Sequence, residues 1–235
     1  MTQYRTLSPA KSQAEVVNAF MRGIYGWMTA GLGVTAVVAL YVASSPTILT
    51  AIFGNPVLLI VLIIAQLGIV IGLSAAVNRL SGGAATGLFL LYSALTGITL
   101  SSVLIVYTGG SVAKAFIVCA GMFGAMSLYG LTTKKDLTSM GAFMFMGLIG
   151  ILLASVVNMF LHSPGMDFVI SIIGVIVFTG LTAYDTQKLK DMGSVAPMDD
   201  ALAVRRGTIL GALTLYLDFI NLFLMLVRLF GSSRD

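Results

Sequence analysis

The chain has 235 residues, 58% of them hydrophobic and only 9% charged, where an average soluble domain carries about 25% charged residues. That leaves too little charge to coat a soluble fold. It also excludes disorder, a coiled coil and a disulfide scaffold, so the remaining class is an all-α, polytopic membrane protein. The net charge is +4, but no basic patch interleaved with aromatics points to nucleic acid.

Residues 1–22 are polar, hold Arg5, Lys11, Glu15 and Arg22, and read as a cytosolic N-terminal tail. They contain no short apolar core with a cleavage site, so the first span is expected to be an uncleaved signal anchor. Residues 23–230 form the expected transmembrane domain, and 231–235 a short C-terminal tail. From Gly23 to Asn78 there are 56 residues without a charge, about enough for two spans. Ser44-Ser45-Pro46 and Gly54-Asn55-Pro56 interrupt them, predicting span one over 24–43 and span two over 56–77. Span three follows over 84–107, ended by Gly109-Gly110. Span four is read over 115–131, and span five over 139–161, before Ser163-Pro164-Gly165. Span six covers 168–187, a polar stretch occupies 188–204, and span seven covers 206–230. Each is near the ~20 residues that cross ~30 Å of hydrocarbon.

Seven spans put the termini on opposite sides. With the N-terminus inside, ten Lys and Arg residues fall on the cytosolic side and three, Lys114, Arg228 and Arg234, outside. This bias predicts a cytosolic N-terminus and an external C-terminus. The 26 glycines include pairs spaced by four, Gly68/Gly72, Gly83/Gly87 and Gly207/Gly211, with Ser93/Gly97 alike. Such pairs let helix backbones approach in lipid. The 13 methionines read as gap-fillers in a bundle.

Ionisable groups inside a bilayer are costly, and each is a functional candidate. Asp218 has 11 uncharged residues before it and nine after it. That places it near mid-membrane, where a charged Asp costs about 3 kcal/mol. Its side chain is too short to snorkel, so it needs a partner, a water path or a proton. The plain alternative is a neutral Asp making one interhelical hydrogen bond. Asp185 follows 17 uncharged residues, Phe168–Tyr184, and alone would read as a helix-end charge. Its surroundings, Leu181-Thr182-Ala183-Tyr184-Asp185, echo Leu213-Thr214-Leu215-Tyr216-Leu217-Asp218. If spans six and seven are neighbours, the two carboxyls could meet and titrate as one unit, a proton sensor. Linear counting puts Asp185 shallower than Asp218, so a meeting requires span seven to start low or to tilt. Arg79 ends span two on the same side. It reads as a topology marker, or as a guanidinium latch on the pair. Gln66, Asn158 and Asn221 read as interhelical hydrogen-bond formers or pore-lining polar groups. His162, the only histidine, reads as an interfacial residue.

One His and one Cys exclude a Cys/His zinc site. No phosphate-binding glycine loop is present for an ATP-driven pump. Tyr184-Asp185 matches half of the presenilin-type protease pattern. Leu215-Tyr216-Leu217-Asp218 lacks the glycines of the other half, so an intramembrane aspartyl protease is the third reading, and the chain is expected not to be an enzyme.

The chain resembles the Bax inhibitor-1 family in its bacterial inner-membrane branch, from about residue 20 to the end. The segments that carry the resemblance are Tyr25-Gly26-Trp27-Met28, residues 95–100 (LTGITL), residues 132–137 (TTKKDL), residues 180–185 (GLTAYD) and residues 215–223 (LYLDFINLF). The resemblance implies seven helices with the seventh central and wrapped by the other six, in a multi-pass inner-membrane protein. It implies a pH-sensitive passive calcium leak, with Asp185 and Asp218 as the paired sensor and Arg79 as its latch. Some relatives carry an extra acidic residue in helix two. Here Gln66 is that helix's one strongly polar side chain. On this reading no cofactor is required. Ca²⁺ is the permeant ion, touching Asp185 and Asp218 transiently, and the partners are lipid, Ca²⁺ and H⁺. The second reading is a non-conducting modulator of a membrane-bound protease or stress response.

Overall fold

The computed structural model describes residues 13–195 and 200–232, and only the backbone of Asn78. Residues 1–12 of the expected tail (with Arg5 and Lys11), residues 196–199 (with Pro197 and Asp199) and residues 233–235 (with Arg234) lie outside the described residues. The elements are helical throughout: α1 (Gln13–Ala43), α2 (Pro46–Phe53), α3 (Pro56–Ala76), a 3₁₀ turn (Val77–Arg79), α4 (Gly82–Val106), α5 (Gly109–Thr132), α6 (Thr138–Leu161), α7 (Pro164–Ser194) and α8 (Ala201–Phe230). All but α2 and the turn are long and apolar enough to cross a membrane, giving seven candidate spans.

The residues that interrupt the apolar runs are the ones that start the helices. Pro46, Pro56 and Pro164 each stand in a first turn, where the missing N–H has no intrahelical bond to lose and φ is already helical. Asn55 Oδ1 accepts from the Val57 and Leu58 amides at 3.1 and 3.3 Å. Ser81, Thr108 and Ser163 cap α4, α5 and α7 in the same way. Several boundaries differ from the sequence expectation because polar or small residues continue a helix beyond the most apolar stretch. Thus α1 starts at Gln13 rather than near residue 24, α5 at Gly109 rather than 115, so that Gly109-Gly110 open a helix, α7 covers Pro164–Ser194 rather than 168–187, and α8 starts at Ala201 rather than 206. The breaker-flanked stretch 46–53 forms a short helix, α2, where only a connection was expected.

The least lipid-exposed span is α8, span seven. In it, 72% of the most apolar window is buried, against 50% in α7 and 11% in α3 and α6. It packs on α1, α4, α5 and α7, while α3 leans on α4 and α6 on α7. Large apolar side chains on α3 and α6, such as Ile64 and Phe160, are exposed, as a lipid face requires. Tyr216 ties α8 to two neighbours. Its hydroxyl lies 2.6 Å from Thr35 Oγ1 on α1, and its ring meets Phe89 and Tyr92 of α4 edge-on at 5.8 and 5.7 Å. Thr35 Oγ1 lies 2.8 Å from the Ser93 carbonyl, completing an α1–α4–α8 polar link in the core.

The glycine pairs separate into two groups. A Cβ at Gly68, Gly72, Gly83 or Gly87 would meet nothing within 4 Å, so these spacings do not serve packing within the described chain. A Cβ at Gly97 would lie 2.7 Å from the Thr35 carbonyl and 2.8 Å from Val38 Cβ. There α1 and α4 are in backbone contact. Gly97→Ala is expected to cost about 2 kcal/mol through overpacking, while Gly68→Ala stays within about 1 kcal/mol of the parent, on the side helix propensity favours. Reversible unfolding in detergent measures both; equal effects would refute this account of the α1–α4 contact.

Candidate functional site

A cavity of about 500 Å³ lies along α7 between α6 and α8. Tyr184, Asp185 and Lys188 of α7 line it together with Thr214, Asp218 and Asn221 of α8. From α6 the lining residues are Thr138, Gly141, Ala142, Phe145 and Leu148, none of them titratable. Gly141 makes room for the site, because a Cβ there would fall on the Tyr184 ring. That ring in turn carries the Lys188 ammonium 5.9 Å from its centroid.

Asp185 and Asp218 both line this cavity, close enough for each carboxyl to act on the other. Asp218 is buried and Asp185 half-buried. Asp218 Oδ2 has no hydrogen-bond partner among the described residues. Ionised carboxylates only accept, so a bond between the two requires a proton on one of them. Without that proton, two like charges share a buried site. Lys188 is close enough to act on Asp185 as an opposing charge, but its own side chain is exposed.

The depth mismatch expected from linear counting resolves in the packing of α1. Phe20 lies over both Gly193 of α7 and Gly207 of α8, which puts these residues at one height. From there Asp185 is eight residues along α7 and Asp218 eleven along α8. At 1.5 Å per residue the difference is about 5 Å. The linear count assumed that α7 ends near residue 187. Its real end, seven residues later, lifts Asp185 towards its partner.

The other candidates are spread through the molecule. Arg79 ends the 3₁₀ turn, is exposed, and is not among the residues lining the cavity. Arg206 is the arginine that fastens this end of α8, donating from Nε to the Leu80 carbonyl at 2.6 Å. Arg205 reaches Thr86 Oγ1 at 3.3 Å. Asn221 lines the cavity but donates to the Leu217 carbonyl of its own helix at 2.8 Å. Gln66 likewise donates to the Leu62 carbonyl one turn back, at 3.3 Å. Asn158 closes the α6–α7 hairpin at the opposite end of the molecule. It donates to Asp167 Oδ1 at 2.8 Å and accepts from the Ser163 amide at 3.0 Å. His162 stands at the end of α6 with φ 50°.

The position of Asp185 depends on a clamp that sequence reading missed. Gln187 Oε1 accepts from the Leu137 amide at 2.8 Å, and its Nε2 donates to the Lys135 carbonyl at 2.8 Å. Lys190 Nζ donates to the Leu131 carbonyl at 2.7 Å. These bonds fasten the TTKKDL loop to α7 beside the aspartates. A Gln two residues after Asp185 is the only signal the sequence carries. Gln187→Ala is expected to cost about 1 kcal/mol and to speed hydrogen exchange at the Leu137 amide. Unchanged protection at Leu137 would show that the loop holds its place without the clamp.

Comparison with known proteins agrees with this architecture. The family described as "Inhibitor of apoptosis-promoting Bax1" matches residues 17–235. Inner membrane protein YbhL of Escherichia coli K12 is 59% identical over 218 residues, 93% of each chain. An uncharacterized protein of Borreliella burgdorferi is 46% identical over 229 residues, covering 97% of this chain and 98% of its own. An uncharacterized membrane protein of Streptococcus pyogenes is 38% identical over 228 residues, 94% of this chain and 96% of its own. With a match across nearly all of its length and a relative at this identity, the chain belongs to the Bax inhibitor-1 family.

Proposed function

We propose that the chain is a passive, pH-sensitive cation leak of the bacterial inner membrane, with Ca²⁺ as the permeant ion and no catalytic activity. The observation that carries this reading is two carboxyls that line one cavity within the spans and act on each other, one of them with an orphaned oxygen. Family membership supports it. The bias of Lys and Arg towards one set of loops supports an N-terminus in the cytosol and a C-terminus outside. The pair then sits in the inner half of the membrane.

The proton is the switch. While the pair shares one, its charge is halved and α7 and α8 stay bonded through it. When the proton leaves, like-charge repulsion acts in a confined site, and α6, which brings no titratable group, offers nothing to offset it. Lys188 and the Tyr184 hydroxyl are the other titratable groups lining the cavity. Separated carboxylates, with Asn221 and Thr214, make the oxygen-rich lining that a hard cation such as Ca²⁺ takes. Arg79 enters as the latch. It stands on a turn that packs against α8, and a swing of the α3 end towards the aspartates would hold them as carboxylates around a guanidinium.

The sign follows from the proton. Flux of Ca²⁺ into proteoliposomes is expected to rise as pH rises through the titration of the pair. Asp185→Asn and Asp218→Asn each remove that dependence. A wild type that passes no more Ca²⁺ than empty liposomes at every pH would sink the leak reading. Asparagine variants that keep the full pH dependence would move the sensor elsewhere.

A further inference from the structure

A second cavity, about 790 Å³, opens at the other end of the same helices. Ser155 and Asn158 of α6 line it, with Asp167 and Ser171 of α7 and Arg228 of α8. Asp167 and Asn158 are held in place by their mutual bond, and Ser171 Oγ donates to the Asp167 carbonyl at 2.7 Å. The cavity that holds the aspartates is lined by Leu148 of α6, Phe178 of α7 and Asn221 of α8 at its nearer edge.

The two cavities are in register on all three helices. On α6 the lining runs from Leu148 to Ser155, on α7 from Phe178 to Ser171, and on α8 from Asn221 to Arg228. Each interval is seven residues, about 10 Å of helix. Midway along each stands Ile151, Gly174 and Met225 respectively. Ile151 and Met225 are buried. Met225 occupies the space a side chain at 174 would need: a Cβ there would lie 2.6 Å from Met225 Sδ. An apolar segment about 10 Å long, with a flexible thioether seated on a glycine at its middle, therefore separates the two cavities. Methionine suits such a place, being unbranched and able to repack at small cost.

We infer that the two cavities are the halves of one ion route along α7, and that Met225, seated on Gly174, is the barrier between them. This rests on the cation-leak reading and names its closed point. Asn158, Asp167, Ser155 and Ser171 become the mouth of that route, with Arg228 at its rim. A dry apolar constriction stops ions simply by denying them a hydration shell.

The test uses a Cys119→Ser background carrying Asn221→Cys, a membrane-impermeant thiol reagent, and vesicles exposing the α6–α7 turn. Ser155→Cys, on the near side of the segment, is expected to label in every background. Asn221→Cys is expected to be protected while Met225 is present and to label several-fold faster with Met225→Ala. Ile151→Ala opens the same segment from α6 and gives a second route to the result if Met225→Ala does not fold. Met225→Leu, which keeps the volume, is expected to retain protection. Ca²⁺ flux is expected to rise several-fold in Met225→Ala. Labelling of Asn221→Cys with Met225 in place, or none after the segment is thinned, would overturn the barrier even if the wild type conducts. The expected labelling with no flux in any variant would overturn the ion route and the leak reading together, and leave only a septum.

Discussion

A carboxyl group held within a bilayer is the constraint around which the rest is arranged. Asp218 is buried on the most enclosed helix, where an isolated charge would be strongly disfavoured. The bundle answers by bringing up Asp185. That requires α7 to be close to α8, and the apposition is secured far from the carboxyls. Tyr216 and Thr35 fix α8 to α1 and α4. Phe20 sets the relative height of α7 and α8, and Gln187 and Lys190 tie the α7 end to the α5–α6 loop. None of these groups lines the cavity that holds the aspartates, yet each governs where the aspartates stand.

The two halves of the sequence echo have separate tasks. Both aspartates follow a Leu-Thr and a Tyr, and the repetition alone would suggest equivalent surroundings. In space, Tyr184 forms the wall of the cavity beside Lys188. Tyr216 is wholly enclosed and faces the opposite way, into α1 and α4. One tyrosine belongs to the site and the other to the scaffold. The orphaned Asp218 oxygen sits at the junction of the two.

How much was legible in the sequence follows from which forces act locally. Hydrocarbon thickness is a local constraint, so charge-free runs yielded seven spans with ends mostly within a few residues. Proline and capping residues marked their starts. The long polar extensions of α1 and α7 were not legible, because water tolerates a continuing helix as readily as a loop, and only tertiary contacts decide. Asp185 and Asp218 stood out because a bilayer makes a lone carboxylate costly. Their meeting was legible only as a condition, from the echo and the resemblance, because relative height depends on Phe20 and on where α7 stops. Gln187 and Arg206 bond to backbone carbonyls and amides, which exist at every position and leave no mark in a sequence. The glycine spacings misled at Gly68, Gly72, Gly83 and Gly87 for a related reason, since spacing alone does not tell a helix-facing stripe from a lipid-facing one.

Helix length separates the spans into two populations. α1, α7 and α8 have 31, 31 and 30 residues, while α3 has 21. At 1.5 Å per residue the long helices reach about 45 Å and α3 about 31 Å. The surplus emerges on one face, where the α7 and α8 extensions carry Lys188, Lys190, Arg205 and Arg206. Cations so placed anchor in an anionic headgroup layer and fix the depth of the long helices. α3 has no such surplus and is matched to the hydrocarbon alone, so a change in bilayer thickness falls on its tilt. Because the 3₁₀ turn Val77–Arg79 joins the end of α3 and packs against α8, a change in the tilt of α3 is carried to the foot of the central helices through that turn.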